Sequence, residues 1–199
     1  MLTNAIKMLS DRQQQIIEES IKIIDDKGIQ GLTIKNLSKA IGISEPGIYR
    51  HFGSKTEILL TILDSLKEMA NMLSGIMETY EGTAVEKIGF MFSKMLDLFS
   101  ETPSMVSVIF SEEIFKNEEV LKIRIVEIVN LHAHTIEAVI SQGQIEDNVR
   151  NDIDEKSLAL LAMGTLRLIV KKWDLNNHNF NLKNEGGKMI EVLSKVLEK

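Results

Sequence analysis

The sequence predicts an all-α chain, and three observations carry that reading. Only two prolines occur among 199 residues, and helix interiors exclude proline. Ile, Leu, Met and Ala return every three or four residues, the period of a helix rather than a strand. A Ser or Thr followed three residues later by Gln or Glu recurs at Ser10 with Gln13, Ser54 with Glu57 and Thr83 with Glu86. In such a capping box each side chain satisfies the other's backbone amide, so each pair marks a helix start.

In chain order, the first helix opens at Ser10, places Ile17, Ile21 and Ile24 on one face and stops at Gly28. Thr33 caps a helix to about Ile41, Gly42 permits the left-handed turn that ends it, and Ser44 caps a third helix closing at Phe52 or Gly53. Further helices start at Ser54, at Thr83 and at Thr102, where Pro103 takes the first helical position and its missing N–H costs nothing. A helix is expected from about Asn117 to Gln142, ended near Gly143, and another from Asp154 to about Trp173. The polar stretch NNHNFNLKNEGG, residues 176–187, leads into a last amphipathic helix, Leu182–Leu197.

The two short helices on either side of Gly42 have the spacing of a helix-turn-helix. Leu37, Ile41, Ile48 and Phe52 form its expected buried face. Pro46 falls in the first turn of the second helix, where it is tolerated. The outer face then carries Glu45, Gly47, Tyr49, Arg50 and His51, a set suited to a polyanion with readable edges, and double-stranded DNA is the obvious one. Arginine forks onto guanine or phosphate, tyrosine and histidine donate to phosphate oxygens, a glycine allows close approach and a glutamate accepts from cytosine. Thr33 and Lys35 at one helix start, Ser44 at the next and Lys55 at a third complete the candidate DNA-binding set. The chain is acidic, with a formal charge of −6. Between Gly28 and Lys55, however, four cations (Lys35, Lys39, Arg50 and Lys55) face the single carboxylate Glu45, a local charge of +3.

Other chemistry finds little support. A 44% apolar and 26% charged composition is that of an ordinary globular protein. The absence of cysteine excludes disulfides and thiolate metal sites. The opening MLTNAIKMLSDRQQQ lacks the apolar core of a signal peptide and no run of 18 apolar residues occurs, so a cytoplasmic protein without a membrane span is expected. His132 and His134, two apart on a helix, point to different faces and make poor partners for one metal. Paired acids at Asp25 and Asp26, Glu112 and Glu113, and Glu118 and Glu119 read as solvated helix ends. No P-loop, dinucleotide fingerprint, Gly-x-Ser-x-Gly or His-Glu-x-x-His is present. Neither an enzyme nor a cofactor is expected.

The run GLTIKNLSKAIGISEPGIYRHFGSKTEIL, residues 31–59, resembles the DNA-binding domain of the TetR family of bacterial transcriptional regulators. The Gly-x-x-x-Leu-Thr opening from Gly28, the Gly-Ile-Ser turn, the Tyr-Arg-His-Phe helix end and the Ser-Lys-x-Glu helix start agree in order and spacing. Ser38 and Ile41 depart from the small apolar residues usual in the family's second helix.

The resemblance implies a three-helix DNA-binding domain over residues 1–54 and a larger helical ligand-binding and dimerisation domain over 55–199. It implies a homodimer whose recognition helices enter successive major grooves about 34 Å apart on a near-palindromic operator. The last two long helices would form the dimer interface, with Leu158, Ala162, Thr165, Ile169, Ile190, Leu193 and Leu197 as its candidates. The stretch LALLAMGTLRLIV, residues 158–170, is apolar on nearly all sides and agrees with a face buried beyond its own subunit. The resemblance also implies a small-molecule effector between the middle helices, with Phe90, Met91, Met95, Phe99, Phe110, His132 and Trp173 as candidate lining. Repression relieved by that effector is the expected function. A DNA-bound regulator whose second domain binds a protein, as in nucleoid occlusion, and a helical enzyme or carrier remain the alternatives.

Overall fold

The computed structural model describes residues 9–110 and 118–199. Its described residues form helices and no strand: α1 (Asp11–Gly31), α2 (Ile34–Ile41), α3 (Glu45–Tyr49), α4 (Lys55–Thr79), α5 (Ala84–Glu101), α6 (Pro103–Ile109), α7 (Glu119–Ile145), α8 (Glu155–Leu175) and α9 (Leu182–Leu197). None of these is long and apolar enough to cross a membrane.

The chain divides into two compact units, the first made of Met1–Asn71 with Ser107–Ile128, the second of Met72–Val106 with Val129–Lys199. In the first, α1 packs on α2 and α2 on α3. Ile16, Ile17 and Ile24 of α1, Leu37 of α2, Ile48 of α3 and Ile58, Ile62 and Leu63 of α4 are buried in its core. Each such side chain removed from water contributes about 1.5–3 kcal/mol. The capping box at Ser10 and Gln13 is formed, and Gly28 breaks the helical path at φ 66°, where α1 turns into the short segment that reaches Gly31. Ion pairs of Arg124 with Asp64 and of Lys67 with Glu127, the latter at 2.8 Å, join α7 to α4 within this unit. Asp25 and Glu118 are exposed but not merely solvated, since they accept hydrogen bonds from the hydroxyls of Ser107 (2.6 Å) and Thr56 (3.1 Å). The expected start at Asn117 and the pair Glu112 and Glu113 lie outside the described residues.

In the second unit α5 packs on α9, and α8 packs on both. Thr83 and Glu86 cap α5, and Asp154 caps α8 by accepting from the Ser157 amide at 2.9 Å. α7 ends at Ile145, near the expected point, but it runs through Gly143 rather than stopping at it. The glycine serves close packing instead, because a Cβ at that position would collide with Ala84 and Val149.

Candidate nucleic-acid interface

The turn between α2 and α3 is built by local hydrogen bonds. Thr33 accepts from the Asn36 amide at 3.1 Å and so starts α2. Gly42 ends it in the left-handed region at φ 78°, ψ 30°, its N–H donating to the Ser38 carbonyl at 3.0 Å. Ser44 then accepts from the Gly47 amide at 3.2 Å and starts α3, with Glu45 and Pro46 exposed in its first turn. The regular helix is only five residues long and ends at Tyr49, short of the expected Phe52. Its hydrogen bonding nevertheless continues, with the Arg50 amide donating to Pro46 at 3.2 Å and the Phe52 amide to Ile48 at 3.1 Å. Ile48 and Phe52 are thereby buried together, whereas Ile41, expected beside them, is only half-buried.

That burial leaves Tyr49, 52% exposed, and Arg50 facing outward from a turn fixed on its inner side. Thr33, Lys35 and Ser44 are also exposed, Gly47 is half-buried and His51 is half-buried. Lys55 behaves differently. Its ammonium donates to the Ile29 carbonyl at 3.3 Å, and burial lowers its pKa while the nearby Glu118 carboxylate pulls it back up. It therefore braces the start of α4 against the end of α1, where a phosphate contact was expected. Two further bonds hold the turn that carries Arg50, and neither is visible as a contact in the sequence. The Gly53 backbone amide donates to the Glu57 carboxylate at 2.6 Å, and the Gln13 side-chain Nε2 donates to the His51 carbonyl at 3.3 Å.

A family profile described as "Bacterial regulatory proteins, tetR family" matches residues 16–62. A second, "YsiA-like protein, C-terminal region" of the same family, matches residues 54–196, most of the chain. The chain belongs to the TetR family. It is a transcriptional regulator, and regulators of this family bind DNA and small molecules and act as dimers. It is similar to the "Fatty acid metabolism regulator protein" of Bacillus subtilis, 20% identical over 190 residues that cover 94% of this chain and 96% of that one. It is also similar to the "Nucleoid occlusion factor SlmA" of Actinobacillus pleuropneumoniae, 21% identical over 178 residues covering 86% and 88%. Among solved structures, FadR from Bacillus subtilis in complex with stearoyl-CoA shares the fold at a TM-score of 0.77 and 21% identity, covering 93% of this chain and 99% of that one.

The second unit arranges the other candidates less simply. Met91, Phe99 and Trp173 are buried, and the Trp173 indole donates to the Phe180 carbonyl at 2.9 Å. Phe90 lies 4.8 Å from the Tyr80 ring, Met95 is half-buried, and His132 is half-buried with a pKa lowered by desolvation. Phe110 belongs to the first unit. A narrow apolar cleft with free room of about 10 Å³, space for about one water, lies between α5, α8 and α9 and is lined by Phe92, Leu96, Thr165, Ile169, Met189 and Ile190 among others. None of the seven candidate lining residues borders it.

The expected dimer residues also shift. Leu158, Ala162, Leu193 and Leu197 are buried in the packing of their own chain, and Thr165, Ile169 and Ile190 are half-buried. The apolar side chains of α8 left to solvent are Leu160 (73% exposed), Leu161 (47%), Leu168 (70%) and Leu175 (70%). The last three repeat every seven residues, which places them on one stripe of the helix. Four of the seven residues expected at the interface thus lie in the interior of their own chain, while an exposed apolar stripe lies elsewhere on α8.

Proposed function

We propose that this regulator binds a near-palindromic operator in the cytoplasm as a homodimer and represses transcription until a long-chain acyl thioester of coenzyme A releases it. The observation that carries the DNA half is the outward-facing Tyr49 and Arg50 on a turn whose inner side is buried, within the segment that the family profile matches. Glu45, Pro46, Gly47 and His51 would border the same major groove, with Thr33, Lys35 and Ser44 at the flanking phosphates. In this reading residues 1–54 form the DNA-binding domain and 55–199 the effector and dimerisation domain.

The second copy would be held through α8 and α9, its contacts centred on Leu160, Leu161, Leu168 and Leu175. Exposed leucines in a repeating stripe are costly in water and are stabilised when another such stripe covers them. The effector class rests on similarity to the fatty acid metabolism regulator of Bacillus subtilis and to the structure of FadR from that organism with stearoyl-CoA. Drug-sized ligands occupy about 300–1,000 Å³, whereas the cleft between α5, α8 and α9 has free room of only about 10 Å³, so it must open to admit an acyl chain. An effector that prefers the widened state weakens DNA binding by its differential affinity for the two states.

The test is selection of binding sites from random duplex DNA at physiological salt, comparing the native protein with a Tyr49→Ala, Arg50→Ala double variant. A palindrome enriched only by the native protein supports the reading, and no enrichment by either defeats it. Titrating the selected complex with acyl-CoAs of increasing chain length, free coenzyme A serving as control, then tests the effector. Similarity to the nucleoid occlusion factor, together with exposed Val120, Ile123 and Val126 on α7, favours a second reading in which a protein partner replaces the small molecule. DNA binding unmoved by every acyl chain would select it.

A further inference from the structure

Gln13 sits in the first turn of α1 and uses its two amide atoms in two places. Its Oε1 accepts from the Ser10 amide at 3.1 Å and from the Ser10 hydroxyl at 3.0 Å, which completes the capping box. Its Nε2 donates to the His51 carbonyl at 3.3 Å, 38 residues along the chain. That carbonyl lies where the recognition helix closes, and the last carbonyls of a helix lack partners within it. The residues around it are held from other sides: Ile48 and Phe52 by burial, Gly53 by the Glu57 carboxylate at 2.6 Å. Arg50 leaves the backbone between these anchors, one residue before the carbonyl that Gln13 holds.

We propose that Gln13 is a positioning residue for base recognition, fixing through the His51 carbonyl the direction in which Tyr49 and Arg50 leave the recognition helix. The proposal deepens the DNA-binding reading and rests on it. A forked arginine contact to a base edge needs both donors in place at once, whereas a phosphate contact carries no sequence information and tolerates small rotations. Releasing the carbonyl therefore lowers specific binding more than non-specific binding. Neither the sequence pattern nor the capping box reveals this second bond, because the cap uses only the oxygen of the amide.

Two variants separate the roles of the side chain. Gln13→Glu keeps an oxygen for Ser10, glutamate being as good a capping-box residue as glutamine, but has no hydrogen to give the His51 carbonyl. Ser10→Ala removes the hydroxyl from the cap and leaves the Gln13 amide free to hold His51. Affinities for the selected operator and for a scrambled duplex of equal length, melting temperatures, and hydrogen exchange of the amides at 50–53 in the free dimer are measured for both. Gln13→Glu is expected to lower operator affinity roughly tenfold relative to the scrambled duplex, the low end of the discrimination carried by one forked contact. Its added charge acts alike on both duplexes and cancels in that ratio. Exchange at 50–53 should quicken while the melting temperature holds. Ser10→Ala should lower the melting temperature and leave the ratio unchanged.

An unchanged ratio in Gln13→Glu, an equal loss in Ser10→Ala, or unaltered exchange at 50–53 overturns the proposal. A native protein that prefers no duplex sinks the DNA-binding reading instead, and the exchange measurement then still decides whether Gln13 holds the turn.

Discussion

The recognition turn and the outer face of α8 are both exposed, but by opposite chemistry. Around Tyr49 the apolar side chains Ile48 and Phe52 point inward, and what remains outside is mostly polar. Along α8 the apolar side chains point both ways, with Leu158, Ala162, Leu166, Val170 and Trp173 inward and Leu160, Leu161, Leu168 and Leu175 outward. A polar surface rests in water at little cost and needs only to be held in shape. A stripe of exposed leucines is unfavourable until something covers it. The first surface is therefore complete within one chain, and the second is the face that the proposed second copy would cover.

The largest effect is expected where that second face is disrupted. In a Leu161→Glu, Leu168→Glu variant, two leucines per subunit, four across a two-fold axis, lose burial worth about 1.5–3 kcal/mol each. Sedimentation should show the dimer dissociation constant rising by at least about a thousandfold, while the helical circular dichroism signal is kept. Operator binding should fall with it, since two half-sites are then no longer held together. A dimer unaffected by these charges would move the interface off α8.

The recognition turn should respond in the opposite way. Arg50→Ala is expected to cost about 1–3 kcal/mol of operator binding, roughly five- to 150-fold, with no change in dimerisation. Tyr49→Ala should cost less and act on all duplexes alike if its hydroxyl meets phosphate. Loss of dimerisation in either variant would mean that the two surfaces are not independent.

Two glycines sharpen the contrast between the faces of the second unit. Gly186, buried in α9, leaves no room for a Cβ against Leu96, whereas a Cβ at Gly164 on α8 meets nothing within 4 Å. Overpacking costs about 1–3 kcal/mol, and replacing an exposed helical glycine by alanine gains about 0.5–1 kcal/mol. Denaturant unfolding of the monomeric double variant should then show Gly186→Ala destabilised and Gly164→Ala stabilised. If the second copy covers this face, the Gly164→Ala gain should shrink in the native protein, because the added methyl then enters the interface.

The difference between the regions also explains what the sequence made legible. Helix starts at Ser10, Thr33, Ser44, Thr83 and Asp154 are set by side chains bonding to amides three residues on, so local spacing suffices to find them. The outward face of the recognition turn followed, because a short helix with one apolar side has one way to pack. Helix α8 has two apolar sides, and periodicity does not say which meets its own chain. The same limit applies to Gly143, read as a helix stop and found as a contact with Ala84, and to Lys55, whose cation is held by a carbonyl 26 residues away. Each depends on a neighbour distant in sequence, and the spacing of nearby residues carries no record of it.

The smallest effect tests the interior of the second unit by pH. His132 on α7 is half-buried, and desolvation lowers its pKa from the ordinary imidazole value of 6.5. The unfolded chain then binds a proton at this site before the folded chain does, so between the folded value and 6.5 stability rises with pH. The contribution is fully present above 6.5 and is lost as pH falls towards the depressed value. A single group changes the slope by at most about 1.4 kcal/mol per pH unit. Denaturant unfolding between pH 5.5 and 7.5 should therefore give His132→Gln a shallower dependence than the native protein. Carboxylates such as Glu127 and Asp154, whose pKa values are lowered by hydrogen bonds, change charge below this range and do not enter the comparison. Equal slopes would mean that the His132 ring meets water in solution. A native slope that steepens further when an acyl-CoA is bound, with no such change in His132→Gln, would place the imidazole against the effector.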